Sequence, residues 1–190
     1  DLFVKIIDEI AIHQPYAYIH WYGVGDPLMD PKIFKRLDYA KSKGLTNSLF
    51  FTNGQLLFKK DNWKNVVECG AATLGVDLDG FSQESYGQIR QGGEFQIAKD
   101  GIVQMYDYIR KHNKSTRIEI AYQVYPGVNE DEIEPFVEWC VKNDYEYKLV
   151  TLHAWAGMRD DLPVSQIETI DDHHGEQRAS PCGMLWRLFI

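Results

Sequence analysis

The sequence predicts an α/β fold built on parallel strands, and three observations carry that prediction. Apolar runs of strand length alternate with amphipathic helical patterns along most of the 190 residues. Three loops, Gly23-Val24-Gly25-Asp26-Pro27, Thr52-Asn53-Gly54 and Asp77-Leu78-Asp79-Gly80, each follow an apolar run and precede a helical pattern. In a parallel array such loops emerge together at the carboxyl ends of the strands. Glycines there admit a ligand close to the backbone, and carboxylates and amides hold it. Taken in order, the three loops describe a cofactor site.

The chain opens in a helical pattern with Leu2, Phe3, Ile6, Ile7 and Ile10 on one face. A strand is predicted over residues 16–22. The next helix takes Asp30 as N-cap and Pro31 as its first residue, buries Ile33, Phe34, Leu37 and Ala40, and ends at Gly44. A strand over 48–51 precedes a helix around Trp63, Val66 and Val67 that ends near Gly70. A third strand covers 73–78. A long helix follows, with Phe95, Ala98, Ile102, Met105 and Ile109 on one face. The fourth strand, 117–125, alternates Ile118, Ile120, Tyr122 and Val124 with polar neighbours. Asn129 is read as the cap of the next helix, with Glu130, Asp131 and Glu132 in its first turn, where the helix dipole favours acids. That helix buries Ile133, Phe136, Val137 and Cys140, and a fifth strand spans 148–153. Residues 157–181 are polar and patternless and read as a linker, and 185–190 are strand-like. The periodicity leaves open whether the strands form an open doubly wound sheet or part of a barrel.

A hydrophobic content of 44% excludes a disordered or fibrous chain. The net charge of −8 argues against a general nucleic-acid or membrane-surface binder. No apolar run approaches the roughly 18–20 residues of a membrane span. Three distant cysteines make no disulfide framework, which points to a reducing cytoplasm. Starting in a helix and stopping in a strand, the chain reads as part of a longer protein.

The polar residues of the three loops are the candidate site. Asp26 can accept hydrogen bonds from a ligand ammonium, or serve an ordinary turn and helix cap. Thr52 and Asn53 are ligand contacts or a favoured Asn-Gly turn. Asp77 and Asp79, two residues apart on a strand, point to the same side. Buried carboxylates need donors, and a ribose, an ammonium or an arginine would serve. Arg90, just before Gly92-Gly93, is the candidate arginine; otherwise it is a solvated helix-end residue. Cys69 and Cys140 read as core packing. Cys182 lies outside the helix–strand alternation. His173-His174 lack dependable metal-site spacing and read as solvated linker. His20 reads as a core histidine, and His153 ends the fifth strand on the proposed active face.

Together and in order, these motifs resemble the radical S-adenosylmethionine (SAM) enzymes, particularly the branch with a C-terminal SPASM or twitch extension. Gly25-Asp26-Pro27-Leu28 is similar to the family's Gly-Gly-Glu-Pro loop, which binds the SAM amino group; Val24 replaces its first glycine and Asp26 its glutamate. Thr52-Asn53-Gly54-Gln55-Leu56-Leu57 is close to the family's strand-3 ending. Val76-Asp77-Leu78-Asp79-Gly80 resembles Val-Ser-Leu-Asp-Gly at strand 4, with Asp77 in place of a serine near the ribose and carboxylate of SAM. Ser85-Tyr86-Gly87-Gln88-Ile89-Arg90 matches a helix carrying Ile-Arg before a glycine. Residues 182–190 look like the start of the SPASM region, whose first cysteine ligates an auxiliary iron–sulfur cluster.

The resemblance implies a partial (β/α)6 TIM-like barrel over residues 1–156 that lacks strand 1, a linker over 157–181 and the start of the extension over 182–190. It implies a 4Fe–4S cluster and SAM as cofactors, with Gly25, Asp26, Pro27, Thr52, Asn53, Asp77, Asp79 and Arg90 at SAM and Cys182 at an auxiliary iron–sulfur cluster. No residue is assigned to catalysis. The hallmark Cys-x3-Cys-x2-Cys is absent from these 190 residues and is expected upstream of Asp1. The implied activity is reductive SAM cleavage to a 5′-deoxyadenosyl radical, acting on a peptide or protein substrate, with a reductant such as flavodoxin or ferredoxin. A non-catalytic barrel module, or another α/β enzyme holding a sugar or phosphate with Asp77 and Asp79, stands as the alternative. Without strand 1, the strand at 19–22 keeps an open edge prone to association unless another segment covers it.

Overall fold

The computed structural model describes residues 1–23, 25–151 and 188–189. Six strands form one sheet: β1 (Ile19–Trp21), β2 (Ser48–Thr52), β3 (Thr73–Asp77), β4 (Arg117–Val124), β5 (Tyr147–Thr151) and β6 (Leu188–Phe189). Their spatial order is β5-β4-β3-β2-β1-β6, and every pairing is parallel. The helices are α1 (Leu2–His13), α2 (Ile33–Ser42), α3 (Asn62–Glu68), α4 (Gln83–Ile89), α5 (Phe95–His112) and α6 (Ile133–Asn143). β1 to β5 thus run side by side in chain order, as the helix–strand alternation predicts.

Period-two alternation divides the sheet into two faces. Leu74, Val76 and Leu78, with Ile118, Ile120 and Tyr122, are buried and form one core with Ala98, Ile102 and Met105 of α5. Gly75 opposes Glu119 in the register, Asp77 opposes Ala121, and Ala121 opposes Lys148, so the other face carries polar and small residues. Gly75 is required there: a Cβ would collide with the ring of Phe51, which lies across it from β2. Lys148 sits 2.6 Å from Glu119 and stands over the same Phe51 ring. Among the described residues, no helix is long and apolar enough to cross a membrane.

Four details depart from the sequence reading. α2 begins at Ile33, not Pro31: Asp30 does accept from the amide of Lys32 (2.9 Å), as a cap would, and holds Arg36 (2.8 Å), but residues 31 and 32 form a turn ahead of the regular helix. β1 starts three residues late, since the amide of Ala17 is taken by a turn to Gln14. Asn129 makes no side-chain cap to the turn at Glu130–Glu132 that leads into α6. The edge of β1 is not open: β6 pairs with it, Ile19 opposite Leu188 and His20 opposite Phe189. The expected association through that edge therefore loses its basis at these positions.

Candidate active site

Two polar clusters form at the carboxyl ends of the strands. The first is built on Asp26, at the exit of β1. Its Oδ1 accepts from the amide of Leu28 (2.8 Å), capping the 3₁₀ turn that Pro27 starts. Its Oδ2 accepts from the Thr52 hydroxyl (2.7 Å) and the Asn53 amide (2.8 Å) at the exit of β2. Both oxygens thus tie the first loop to the second. Asn53 turns its own Oδ1 to the amide of Gln55 (3.0 Å). Gly25 adopts φ +94°, a region that favours glycine, and a Cβ there would meet open space. Gly54, at φ +80°, is different: its close neighbours are Ala98 and Val76, so it serves packing.

The second cluster joins β3 to the end of α4. Arg90 donates from Nε to Asp79 Oδ2 and from a terminal nitrogen to Asp77 Oδ2 (3.2 Å). The sequence leaves Arg90 divided between a solvated helix end and a carboxylate partner; the structure gives it both carboxylates. Asp79 is fully buried, and its Oδ1 has no hydrogen-bond partner among the described residues. Burial and then the neighbouring Asp79 push the Asp77 carboxyl up to about 7, against the pull of Arg90 and Lys148. Burial likewise raises Asp79, opposed by Arg90. Among the described residues one guanidinium hydrogen-bonds both the fully buried Asp79 and the partly buried Asp77, and the repulsion left between the carboxylates is relieved by a proton or a ligand donor.

The clusters share one end of the sheet, since Asp26 holds Thr52 and Thr52 lies opposite Val76, the neighbour of Asp77. Several supporting residues were not singled out by sequence. Gln55 bridges the Tyr86 hydroxyl (2.9 Å) and the backbone of Glu94 (2.9 and 3.0 Å), locking the start of α5 to the second loop. Lys148 faces Asp77 from β5. Glu132 accepts from the amide of Phe81 (2.6 Å) and the Ser85 hydroxyl (2.5 Å). The Asn-x-x-Glu spacing of Asn129 and Glu132 is the one local signal available, and it reads equally as an ordinary helix start. His20 is buried, with Nδ1 2.6 Å from the Tyr22 hydroxyl.

Cys69 and Cys140 are buried, and burial pushes their thiols up to about 11 and about 12. Neither is poised as a thiolate ligand. Among the described residues no group of three His, Cys, Asp or Glu side chains could hold a metal ion. Cys182, His153 and His173-His174 lie outside the described residues.

The family model of the Radical SAM superfamily matches residues 1–140. The chain is similar to GTP 3′,8-cyclase of Thermodesulfovibrio yellowstonii, 26% identical over 148 residues, covering 77% of this chain and 43% of that protein. It is 28% identical to GTP 3′,8-cyclase of Limosilactobacillus fermentum over 127 residues, 66% of this chain and 36% of the relative. The chain therefore spans less than half the length of these curated relatives. In fold it resembles coproporphyrinogen III oxidase (HemN) of Escherichia coli, described as a radical SAM enzyme, with a TM-score of 0.52 at 13% identity over 90% of this chain and 42% of that one.

Proposed function

Because the chain belongs to the radical SAM superfamily, we propose that the intact protein is an enzyme that cleaves SAM reductively and uses the product radical on an organic substrate. The family's cofactors are a 4Fe–4S cluster and SAM. The described residues do not fit the cluster, having two buried thiols and no gathered ligand set. They fit SAM better. The observation that carries this is the fully buried Oδ1 of Asp79, without a hydrogen-bond partner among the described residues, beside Asp77 and the guanidinium of Arg90. That arrangement calls for hydroxyl or ammonium donors, which SAM has in its ribose and amino acid ends.

Each loop then has a task. Asp26 holds the first and second loops together through the buried Thr52 hydroxyl and the Asn53 amide, so that Gly25, Pro27 and Asn53 form a fixed rim. Asp77 and Asp79 accept from the ligand's hydroxyls, and Arg90 limits their repulsion. A 4Fe–4S cluster, held by residues outside those described, would supply the reducing electron for SAM cleavage. The surrounding residues contribute position and exclusion of water.

The finer reading is a SPASM-type enzyme of the cytoplasm that modifies a peptide or protein and takes electrons from a flavodoxin or ferredoxin, with Cys182 at an auxiliary cluster. It rests on the sequence motif at 182–190. A nucleotide substrate is the second reading, favoured by the similarity to GTP 3′,8-cyclases. The test is anaerobic iron–sulfur reconstitution of the intact protein, followed by dithionite and SAM, with 5′-deoxyadenosine measured by chromatography. Its formation is expected. None from a protein with an intact cluster would overturn the proposal. Faster turnover with GTP than with peptides would decide for the nucleotide reading.

A further inference from the structure

We infer that Asn129 is a positioning residue for the Asp77–Arg90–Asp79 cluster, an inference that rests on reading this cluster as part of the SAM site. The β3–β4 ladder stops with Asp77 opposite Ala121 and the amide of Leu78 on the Ala121 carbonyl (2.9 Å). One pleat further, Asp79 and Gln123 would be opposite each other, but no ladder bond joins them. The carboxamide of Asn129 fills that gap. Its Nδ2 donates to the carbonyl of Asp79 (2.8 Å) and to the carbonyl of Gln123 (2.9 Å). Its Oδ1 accepts from the amide of Tyr125 (2.7 Å). Both donors and the acceptor are used, and the residue is fully buried.

The backbone of Asn129 is held in turn. Its carbonyl accepts from the buried Tyr122 hydroxyl (3.0 Å) and its amide donates to the Tyr125 carbonyl (3.2 Å). Three residues on, Glu132 grips Phe81 and Ser85. The turn after Asp79 is therefore fixed from outside by the segment after β4, and from beneath by α4, where a Cβ on Gly80 would strike Ser85 and Tyr86. A carboxylate whose backbone is pinned this way faces Arg90 from a set place. No hydrogen bond joins Asn129 to the Asp79 carboxylate or to Arg90, so its effect on them passes through the Asp79 main chain.

Truncating the carboxamide releases that main chain, so Asp79 separates from Arg90 and the guanidinium turns toward Asp77. The groups facing Asp77 are Asp79, Arg90, Lys148 and Asp26. Asp77 then keeps its counter-charge, loses part of the repulsion from Asp79, and should titrate at lower pH.

The test uses the intact protein with Asn129→Ala, and Cys140→Ala on α6 as a buried truncation away from the cluster. Asp carboxyl titrations are followed by carbon NMR, assigned with Asp77→Asn, and SAM binding by equilibrium dialysis. Expected for Asn129→Ala are an Asp77 midpoint lowered by about one pH unit and SAM binding weakened about tenfold, the scale of a lost buried hydrogen-bond set. Cys140→Ala should match the wild type in both. A folded Asn129→Ala protein with the wild-type midpoint would overturn the inference. If Asn129→Ala does not fold, Asn129→Ser, whose hydroxyl cannot span both carbonyls, should show the same shifts. Failure of both to fold while Cys140→Ala folds would also overturn it, making Asn129 a folding determinant only. A wild-type protein that binds no SAM would sink the proposed function, while the titration still decides on Asn129.

Discussion

Replacing Asp77 by asparagine should make the protein more stable at alkaline pH and remove a pH dependence. Asp77 is pushed up to about 7, first by burial and then by the Asp79 carboxylate. Its unfolded value is about 3.9. A raised acid binds more protons folded than unfolded, so stability falls as pH rises from about 4 to about 7 and the loss is complete above that. The gap of about 3 pH units sets a ceiling of about 4 kcal/mol. The side chain is 27% exposed, and Asp79 shares the repulsion. A figure of about 2 kcal/mol is therefore the expectation. Asparagine keeps an oxygen for the Arg90 contact and leaves Arg90 paired one-to-one with Asp79. The assay is urea unfolding of the intact protein between pH 5 and pH 8, followed by tryptophan fluorescence. The variant should lose this part of the downward slope and exceed the wild type most at pH 8. An unchanged slope, or a variant less stable than wild type at pH 8, would refute the reasoning.

Other substitutions probe the same frame. Arg90→Met should cost about 3 kcal/mol, because it strands the buried Asp79 carboxylate beside the partly buried Asp77, and Arg90→Lys should recover little, since an ammonium cannot reproduce the fork; equal unfolding midpoints for wild type and Arg90→Met would contradict this. Gly75→Ala should cost about 1–3 kcal/mol by driving a methyl into the Phe51 ring, and Phe51→Ala should remove that extra cost in a double-mutant cycle; additive effects would discard the clash. Cys140→Ala should cost about 1 kcal/mol, through lost packing, with iron content unchanged, whereas Cys182→Ala in the intact protein should lower iron content. Iron analysis after reconstitution checks both, and unchanged stoichiometry for Cys182→Ala would remove its assignment.

Element type was legible wherever a periodic pattern met a buried face. The stripe Phe95, Ala98, Ile102, Met105 predicts α5, and all four are buried. The alternation of Ile118, Ile120 and Tyr122 predicts β4 and its core side. Chain order of the strands followed from helix–strand alternation, since parallel neighbours need a crossover. Element ends were less legible: Asp30 makes a cap-type bond to Lys32 but a turn intervenes before α2, and Asn129 has the residue type of a cap but spends its side chain on Asp79, Gln123 and Tyr125.

By itself, then, the sequence determined the parallel α/β architecture, the radical SAM superfamily, and which loops carry the polar residues. Only the tertiary structure decided how those residues divide. It put Oδ2 of Asp26 on Thr52 and Asn53 of the second loop, across 26 and 27 residues of chain. It gave Arg90 two carboxylates, brought Asn129 to Asp79 across 50 residues, and laid β6 on the edge of β1. The reason is physical. Helix and strand periodicity is a short-range pattern that each segment carries alone. A hydrogen bond between a side chain and a distant backbone depends on strand register and helix placement, which emerge only when the whole core packs.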